Sequence, residues 1–277
     1  MSVSVLILTL NEELNLPSCL ESVAWSDDVV VLDSVSKDRT QDIARSNGAR
    51  VVERPFDDWS THQNWAVENI DFKHRWVYYC DADEVVPPEL ADEIMAVTSD
   101  ASRPEVCYRL RFKNMLFGRW IKHSSLYPTW IARLWQVDKI HWQRGTNPIA
   151  LVDGPEGRLK HHFLHYSFTK GMGPWFGKHN KYSQYEAVET VKELSRGKID
   201  WSGLLCGDAY RRRFALKNLS FRLPCRPLFK FLFLYLLRGG FLEGRAGLTY
   251  CVLQAIYEEM IVAKVEEIRR RQRGLKA

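Results

Sequence analysis

The chain has 277 residues, of which 45% are hydrophobic and 26% charged, enough to bury a full core in one large domain or in one domain with an appendage. Its six cysteines are scattered, with no CxxC pair and no His/Cys cluster at zinc spacing, which argues against a zinc site and predicts reduced thiols in the cytosol. The net charge of +5 hides an asymmetry, because residues 211–277 carry 15 basic against 5 acidic side chains and the remainder is acidic.

The first hundred residues alternate strand-like and helix-like patterns. Short apolar runs that suit buried strands stand at residues 3–8, 28–32, 50–53 and 76–81. Between the first two runs, Leu16, Leu20 and Val23 recur at helical spacing. This order predicts βαβ units in a doubly wound α/β sheet. Because the first run begins at residue 3, we expect no cleaved secretion signal ahead of it.

Two helix starts are predicted from local chemistry. Ser60 followed by Gln63 has the spacing of a capping box and predicts the start of a helix. Pro87 and Pro88 suit the first turn of a later helix. The inner face of that later helix is predicted to consist of Leu90, Ile94 and Val97.

Beyond residue 100 the pattern changes. Residues 105–112 and 130–137 alternate as strands do, with a loop rather than a helix between them. Residues 175–195, 206–220 and 244–273 have helical patterns. The last of these carries an apolar stripe that predicts its packing face: Leu248, Val252, Ile256, Met260, Ala263 and Ile268.

Polar side chains follow three of the predicted strands at their carboxyl ends, where open α/β sheets bind ligands. These segments are residues 9–13, residues 33–40 and residues 81–84, the last reading Asp-Ala-Asp-Glu. Several carboxylates at the end of an apolar strand predict a divalent cation that binds a phosphate-bearing substrate. Each segment has a structural alternative: Asn11 as a helix N-cap, residues 33–40 as a capped turn, and residues 81–84 as a solvated loop.

Together these segments resemble glycosyltransferase family 2, the GT-A nucleotide-sugar transferases, and within it the branch of lipopolysaccharide core β-glucosyltransferases. The matching segments are LTLNEE (8–13), VVVLDSVSKDRT (29–40), QNWA (63–66), YCDADE (79–84), YPTWIARLW (127–135), VDGPEGRL (152–159) and LHYSF (164–168). The resemblance implies a GT-A domain over residues 1–170, with a nucleotide-sugar-binding half at 1–100 and an acceptor-side half at 101–170. A helical, basic and amphipathic C-terminal region at 171–277 follows.

The resemblance also implies the donor site. Asp83, together with Asp81, would hold Mn²⁺ or Mg²⁺ against the donor's diphosphate, and the metal would neutralise the leaving group. His165 would approach the metal or the diphosphate, and a core histidine is the alternative for it. The residues implied to bind the nucleotide-sugar are Thr9, Asn11, Glu12, Asp33, Asp38, Arg39, Asn64, Asp81, Ala82 and Asp83.

An inverting transfer also needs a base that deprotonates the acceptor hydroxyl. The branch carries His-Glu shortly before the DGP turn, whereas this chain has Asn147 and Pro148, neither of which can act as a base. His62 and Gln63 likewise stand where the branch has Gln-Arg. The remaining candidates for the base are Asp153, which we favour, Glu156 and His141. An Asp before Gly-Pro is also typical of a turn, which is the alternative for Asp153.

The segment 117–130 is rich in Trp, His and Tyr, as sugar-binding surfaces are. Aromatic rings stack on pyranose faces, and polar groups bind the hydroxyls. The predicted acceptor-binding residues are Trp120, His123, Tyr127, Trp130 and Arg133. The alternative is that these aromatic residues belong to the core.

The apolar run at residues 229–237 is too short to span a bilayer, which needs about 20 apolar residues. Basic residues flank it: Arg222, Arg226, Lys230 and Arg238. An interfacial helix within residues 222–238, lying on an anionic membrane surface, fits both features. A core helix packed on the sheet domain is an equal alternative.

The sequence therefore predicts a cytoplasmic, membrane-peripheral, metal-dependent inverting glycosyltransferase. Its donor would be a UDP-hexose and its acceptor a lipid-linked or cell-envelope glycan. Two other classes stay open. One is an impaired family member that binds nucleotide-sugar without transferring it, and the other is a protein that binds nucleic acid through its basic C-terminal region.

Overall fold

The N-terminal part of the chain alternates strands and helices, as the sequence predicts. The computed structural model describes residues 3–145, 148–195, 200–207, 209–222 and 225–276. The first strands are β1 (Val3–Thr9), β2 (Val29–Asp33), β3 (Arg50–Glu53) and β4 (Trp76–Asp81). The helices that connect them are α1 (Leu16–Ser22), α2 (Thr40–Ser46) and α3 (Trp59–Asn69).

The following part is built mainly of strands. It comprises β5 (Glu84–Val85), α4 (Pro88–Ser99), β6 (Cys107–Leu116), β7 (Arg119–Trp120), β8 (Ile131–Gln136), β9 (Ile140–Gln143), β10 (Ile149–Val152) and β11 (Glu156–His165). A 3₁₀ turn at Val137–Lys139 precedes β9. The strands β9 and β10 form a separate antiparallel pair.

The main sheet has the order β3-β2-β1-β4-β8-β6-β11-β5, with β7 paired to β6. Parallel pairing joins β1 to both β2 and β4, whereas β8 is antiparallel to both β4 and β6. The chain runs from β1 to β2 and β3 on one side and returns to β4 on the other side of β1. The carboxyl ends of β1 and β4 thus form a topological switch point, where open α/β sheets bind ligands. The predicted doubly wound mixed sheet is confirmed.

Both faces of this sheet are covered, which explains why β1 is buried at all seven positions. One face packs against α1 and α4, and the predicted inner face of α4 is confirmed, because Leu90, Ile94 and Val97 are all buried. The other face packs against α3 through Ala66 and Ile70.

The predicted capping box is wrong. The helix α3 begins two residues earlier, and its N-cap is Asp58 rather than Ser60. The Asp58 carboxylate accepts hydrogen bonds from the backbone N–H of Thr61 at 3.0 Å and from the Ser60 hydroxyl at 2.9 Å. A carboxylate is a better acceptor than a hydroxyl for the unpaired N–H groups of a first turn, because its charge also complements the helix dipole.

The C-terminal part is helical. Its elements are α5 (Met172–Ser195), α6 (Trp201–Leu205), α7 (Ala209–Ser220), α8 (Arg226–Leu232), a π turn (Phe233–Leu237), a 3₁₀ turn (Gly240–Glu243) and α9 (Gly244–Gln272). The long helices α5 and α9 pack together through Ala187, Val191, Ile261 and Val265. Within the part of the chain that the structure describes, no helix is long and apolar enough to cross a bilayer.

The predicted packing face of α9 is wrong for most of its residues, although Ile268 does pack in the contact with α5. The side chains of Leu248, Val252 and Ile256 are 38–41% exposed. The buried side of the helix instead contains Cys251, Leu253, Glu258, Ile261 and Val265. The helix has apolar residues on both sides, and the side that is packed is not the one with the larger side chains.

The chain divides into two compact units. The N-terminal unit comprises residues 1–120 and 127–169, and the C-terminal unit comprises residues 121–126 and 170–277. A boundary near residue 170 was predicted, and residues 121–126 were expected to lie in the GT-A domain that precedes it. They belong to the C-terminal unit, where the buried Glu243 carboxylate accepts hydrogen bonds from the backbone N–H of His123 at 2.5 Å and of Ser124 at 3.2 Å.

Candidate active site

The end of β4 brings an acid and a histidine together. The Asp83 Oδ2 atom lies 3.5 Å from Nε2 of His165, and each side chain is about one quarter exposed. They meet because the last residue of β11, His165, pairs with Glu84 at the first position of β5. The other ring nitrogen of His165 lies 3.0 Å from the Asn114 side-chain oxygen, which orients the ring.

The charge of Asp83 also changes the pKa of this histidine. Burial alone would lower the pKa of His165, but the hydrogen bond and the negative charge of Asp83 outweigh burial and raise it above its usual value. The neighbouring Glu84 and Asp81 act in the same direction. The histidine therefore lies in a negative field, as expected of a site that attracts cations.

The other two acids of the segment share one arginine. Arg133 pairs with Asp81 at 2.7 Å and with Glu84 at 2.5 Å, and its guanidinium lies 4.2 Å from the centre of the Tyr79 ring. Burial opposes the charge on Arg133, but the two carboxylates more than offset it and raise its pKa well above the usual value. The Tyr79 hydroxyl donates to the second oxygen of Asp81 at 2.9 Å. Both oxygens of Asp81 are therefore engaged within the protein.

Arg133 was predicted to bind the acceptor, and its ion pairs with Asp81 and Glu84 were not predicted. The arginine is buried and points to the acids at the end of β4. Nothing in its local sequence signals this, because it follows Asp81 by 52 residues and meets it only when β8 pairs with β4.

The loops after β1 and β2 form one connected rim beside β4. The Asn11 side chain accepts a hydrogen bond from the Lys37 N–H at 2.7 Å, and the Glu12 N–H donates to the Thr40 hydroxyl at 2.7 Å. The Glu13 N–H donates to the Asp38 carboxylate at 3.2 Å. Asn11 is exposed, has a positive φ of 54° and is not the N-cap of α1, which is Asn15. Arg39 is exposed at the same rim.

Asp33 is the fixed centre of this rim. Its carboxylate is fully buried and accepts hydrogen bonds from the Thr9 hydroxyl at 2.7 Å, from the Ser36 N–H at 2.8 Å and from the Gln41 side chain at 2.8 Å. Burial would raise the pKa of Asp33, but these hydrogen bonds keep it below its usual value. Asp33 thus ties the two loops together. From its position in the sequence alone, this structural role cannot be told apart from ligand binding.

Asn64 also has a structural role. Its side-chain amide donates to the Trp142 carbonyl at 2.8 Å and accepts from the Trp142 N–H at 2.7 Å, so both ends of the amide hold β9 against α3. The buried Ala82 contributes only backbone to the segment. The resemblance placed both residues in the nucleotide-sugar pocket.

Two of the three candidates for the base lie at the wrong edge of the sheet. Glu156 begins β11 opposite Cys107 and His165 ends it opposite Asn114, so about seven residues of β6 separate them, or roughly 23 Å. Asp153 donates its N–H to the Lys139 carbonyl, and the 3₁₀ turn that contains Lys139 is bonded to Arg75, ahead of β4. Asp153 and Glu156 are therefore near the amino end of β4 and not near Asp83, and the prediction for both is corrected.

The third candidate is no closer to that end. His141 is exposed at the second position of β9, near the same edge of the sheet as Asp153 and Glu156. Asn147, where the resemblance expects a base, lies outside the described residues. Gly145, two residues before it, has a carbonyl that accepts the N–H of Trp59, so this turn approaches the start of α3.

Three of the predicted acceptor-binding residues lie together in the N-terminal unit. The rings of Trp120 and Tyr127 are 5.1 Å apart, and Arg111 lies over both Tyr127 and Trp130, at 5.9 and 4.9 Å. His123 does not join them, since it belongs to the C-terminal unit.

The site can supply two metal ligands. Among the described residues there is no group of three or more His, Cys, Asp or Glu side chains arranged to hold a metal ion. One carboxylate and one imidazole, at Asp83 and His165, nevertheless fit an ion whose other ligands are substrate phosphate oxygens and water. Asp81 fits less well, because Arg133 and Tyr79 engage its oxygens.

The family of the chain follows from comparison with known sequences. The sequence model of Glycosyl transferase family 2 matches residues 4–153, more than half of the chain. The chain belongs to this family and is a nucleotide-sugar glycosyltransferase.

Individual relatives agree with this assignment. A protein of Rickettsia typhi named uncharacterized glycosyltransferase RT0209 is 25% identical over 99% of this chain and 89% of its own length. The lipopolysaccharide core biosynthesis glycosyltransferase LpsC of Rhizobium meliloti is 24% identical over 95% of this chain and 91% of its own.

One similar solved structure is glucosyl-3-phosphoglycerate synthase of Mycobacterium tuberculosis, in complex with Mn²⁺, UDP and glucosyl-3-phosphoglycerate. It is 22% identical, with a TM-score of 0.35, over 40% of this chain and 44% of that chain. This chain thus spans less than half of that protein's length, and a likeness at this level carries no argument about the site.

Proposed function

We propose that the chain transfers a hexose from a UDP-sugar, with Mn²⁺ or Mg²⁺ held by Asp83 and His165 at the end of β4. The observation that carries the proposal is the approach of these two side chains, from strands 80 residues apart in sequence, at the switch point of the sheet. When bound, the metal would supply Lewis-acid stabilisation of the departing diphosphate.

The residues around this pair have separate tasks in the proposal. Asn114 holds the His165 ring so that Nε2 faces Asp83. Arg133 pairs with both Asp81 and Glu84 and so holds the two carboxylates that flank Asp83 in sequence. The connected rim of residues 11–13 and 36–40 is the proposed wall for the nucleoside, and Asn11, Lys37 and Arg39 are exposed on it.

The proposal is tested by calorimetric binding of a panel of nucleotide-sugars with and without Mn²⁺, followed by release of free nucleotide in the same samples. Asp83→Asn and His165→Gln should each weaken metal-dependent donor binding by about 100-fold or more, since even loss of a residue that only orients a ligand costs about 10- to 100-fold. An imidazole ligand should also make Mn²⁺ more effective than Mg²⁺.

Asp153→Asn is the matched control. Its side chain is 86% exposed at the opposite edge of the sheet, so binding and nucleotide release should equal those of the wild type. If Asp83→Asn binds the donor as tightly as the wild type with Mn²⁺, the metal assignment is wrong. Metal-dependent binding without nucleotide release, tested with acceptor-bearing membranes, would favour the impaired family member instead.

We further propose that the acceptor is presented at an anionic membrane surface, which the C-terminal unit contacts. Eight large apolar side chains between α8 and the start of α9 are at least 37% exposed: Leu228, Phe229, Leu232, Phe233, Leu236, Leu237, Phe241 and Leu242. So many exposed apolar side chains are unusual on a monomer and are typical of a membrane or protein contact. Three exposed arginines near them, Arg222, Arg238 and Arg245, favour an anionic bilayer.

From the sequence, two further basic residues, Arg226 and Lys230, were predicted to border this surface. Arg226 and Lys230 instead face Glu258 of α9, at 2.6 and 3.8 Å, and are mostly buried. They fasten α8 to α9 and leave the apolar side chains of α8 exposed. The proposed surface is therefore an apolar face with an arginine border.

Vesicle sedimentation tests this surface directly. The protein should sediment with vesicles of phosphatidylglycerol and phosphatidylethanolamine, and much less with phosphatidylcholine alone. The double change Leu236→Ser and Leu237→Ser should reduce binding by about tenfold or more, since each removes an exposed apolar side chain from the proposed contact. Leu14→Ser, at an equally exposed leucine of the N-terminal unit, should have no effect. Equal binding to both vesicle types, or concentration-dependent dimerisation lost in the double variant, would contradict the membrane assignment.

A further inference from the structure

A cluster of rings and cations covers one part of β6 and β11 in the N-terminal unit. The guanidinium groups of Arg111 and Arg158 lie 4.9 and 5.0 Å from the centre of the Trp130 ring. The Lys113 ammonium lies 4.7 Å from the centre of the Trp120 ring. We call these five residues the ring–cation cluster.

Among the residues that the structure describes, the cations of this cluster have no acidic partner in an ion pair. In the described part of the chain, no carboxylate forms an ion pair with Arg111, Lys113 or Arg158, whereas the neighbouring Arg109 on β6 pairs with Glu156 at 2.6 Å. Arg111 bonds to the Lys160 carbonyl, but its Nε is buried and finds no acceptor among the described residues. A buried donor without an acceptor costs free energy unless a ligand supplies one.

The local field is positive. The ring of His162, which pairs with Arg111 across the two strands, stacks on Trp120 with the ring planes 18° apart. Burial, and then the charges of Lys113 and Arg111, lower the pKa of His162, and Glu89 offsets them only in part. The cluster thus concentrates positive charge that Glu89 offsets only in part.

The cluster is close in sequence to the proposed metal ligands but separate from them. Arg111 and Lys113 alternate along β6 with Phe112 and Asn114, which contact His165. Successive side chains of a strand point to opposite faces of a sheet, so the cations of β6 lie on the face away from His165. The cluster is therefore not a second set of metal or diphosphate ligands at that histidine.

We propose that the ring–cation cluster binds a negatively charged saccharide, one whose sugar rings carry carboxylate or phosphate groups, and that this is part of the acceptor. Aromatic rings bind the apolar faces of pyranoses. A guanidinium that stacks on an aromatic ring still presents the N–H donors along its own edge, and these can bind an anion. Only the statement that the saccharide is the acceptor rests on the transferase function proposed above. The binding site itself stands on the geometry of the five residues.

The test measures saccharide binding by titration calorimetry at low and high salt. The probes are a tetramer of galacturonic acid, which carries carboxylates, maltotetraose as the neutral match, and oligothymidylate. The galacturonate tetramer should bind, maltotetraose should bind on the order of tenfold more weakly or not at all, and salt should weaken only the former. Arg158→Gln and Lys113→Gln should each reduce galacturonate binding on the order of tenfold.

The matched control is Arg109→Gln, because this cation is on the same strand but is paired with Glu156. It should bind the tetramer as the wild type does. Arg158 is exposed, so its substitution leaves the fold intact and keeps the test decisive. No binding of the charged tetramer, equal binding of the neutral one, equal loss in the Arg109 variant, or tighter binding of oligothymidylate would each overturn the proposal.

Donor binding with Mn²⁺ is measured on the same variants. Normal donor binding by the Arg158 and Lys113 variants is expected, because their side chains lie away from the Asp83–His165 pair. Failure of the wild type to bind any nucleotide-sugar, with saccharide binding intact, would refute the proposed donor site and leave the saccharide site standing. The opposite result would refute the saccharide site alone.

Discussion

Two histidines of the N-terminal unit, the buried His62 and the partly buried His165, have opposite charge preferences because their neighbours differ. His165 faces Asp83, and its pKa is raised. His62 is 1% exposed and accepts a hydrogen bond at Nδ1 from Arg54 at 2.6 Å. Burial and then the charge of Arg54 lower the pKa of His62 to about 4. His62 is thus a neutral core group near the start of α3.

This preference predicts a loss of stability in mild acid. Since the folded pKa of His62 is below the unfolded value of about 6.5, the unfolded state binds the proton first as the pH falls. The contribution of His62 is complete above about pH 6.5 and decreases towards pH 4, with a loss of about 2 kcal/mol at about pH 5. Urea unfolding at about pH 7.5 and about pH 5 measures it. His62→Gln should unfold with a smaller difference between the two pH values.

The exposed His141 provides the control for this experiment. His141→Gln should retain the pH dependence of the wild type, because the His141 side chain is exposed on β9. If His62→Gln and the wild type lose the same free energy between the two pH values, His62 is not the group that titrates.

For individual residues, the sequence predicts where a side chain lies in the fold better than it predicts what that side chain does. It placed Asp33, Asp81 and Asp83 at the carboxyl ends of strands, and the structure agrees. It could not tell which carboxylates are already satisfied, since that depends on groups distant in the chain, such as Arg133 for Asp81. The same is true of Asn64, whose partner Trp142 lies 78 residues away.

At the scale of elements, α9 shows how periodicity can mislead. Leu248, Val252 and Ile256 follow at intervals of four residues, as an ideal packing stripe does. The helix buries a different side, which includes Cys251 and the charged Glu258. Glu258 is tolerated there because Arg226 of α8 pairs with it at 2.6 Å. The hydrophobic pattern of α9 alone cannot show that a residue of opposite charge on α8 pairs with Glu258. It therefore cannot predict which side of α9 is buried.

The two sides of α9 should respond differently to truncation. Ile261 is 3% exposed between α5 and α9, and Ile261→Ala should destabilise the protein by about 2–4 kcal/mol, because it leaves a cavity. Ile256 is 38% exposed, and Ile256→Ala should cost less than about 1 kcal/mol. Urea unfolding of the two variants compares them under identical conditions. Equal losses would mean that the packed side of α9 is assigned wrongly.

The strands were easier to predict than the helix faces. All four parallel strands of the N-terminal unit were located within a residue or so, because runs such as Val29–Asp33 are apolar on both faces and end at polar residues. The start of α3 was missed because three capping candidates, Asp57, Asp58 and Ser60, stand within four residues of one another. Local sequence does not decide among adjacent caps, whereas the hydrogen bond from Thr61 to Asp58 does.

At the scale of the whole molecule, the two units are not consecutive in the chain. Residues 121–126 leave the N-terminal unit, join the C-terminal unit and return. Glu243, which is 4% exposed, fixes this excursion through the backbone of His123 and through the N–H and hydroxyl of Ser124. No sequence pattern indicated this connection, because its partners are about 120 residues apart.

Loss of this carboxylate should destabilise the C-terminal unit. Glu243→Ala leaves two buried backbone N–H groups without an acceptor, and we expect a loss on the order of 3 kcal/mol. Thermal and urea unfolding measure this loss, and limited proteolysis should show earlier cleavage within residues 121–126. Glu243→Gln keeps one oxygen acceptor and should lose less. A change below about 0.5 kcal/mol in the alanine variant would contradict this role.

The excursion has a consequence for the order in which the chain folds during synthesis. All strands of the N-terminal unit, through β11, leave the ribosome before residue 170, so its sheet can close early. Once β11 is made, residues 121–126 must still wait until Glu243 is made, which takes about 4–16 s at about 5–20 residues per second. During that interval the nascent chain carries a nearly finished sheet with one unanchored loop, and the hydrogen bonds that close the middle of the sequence form only after most of the chain has been made.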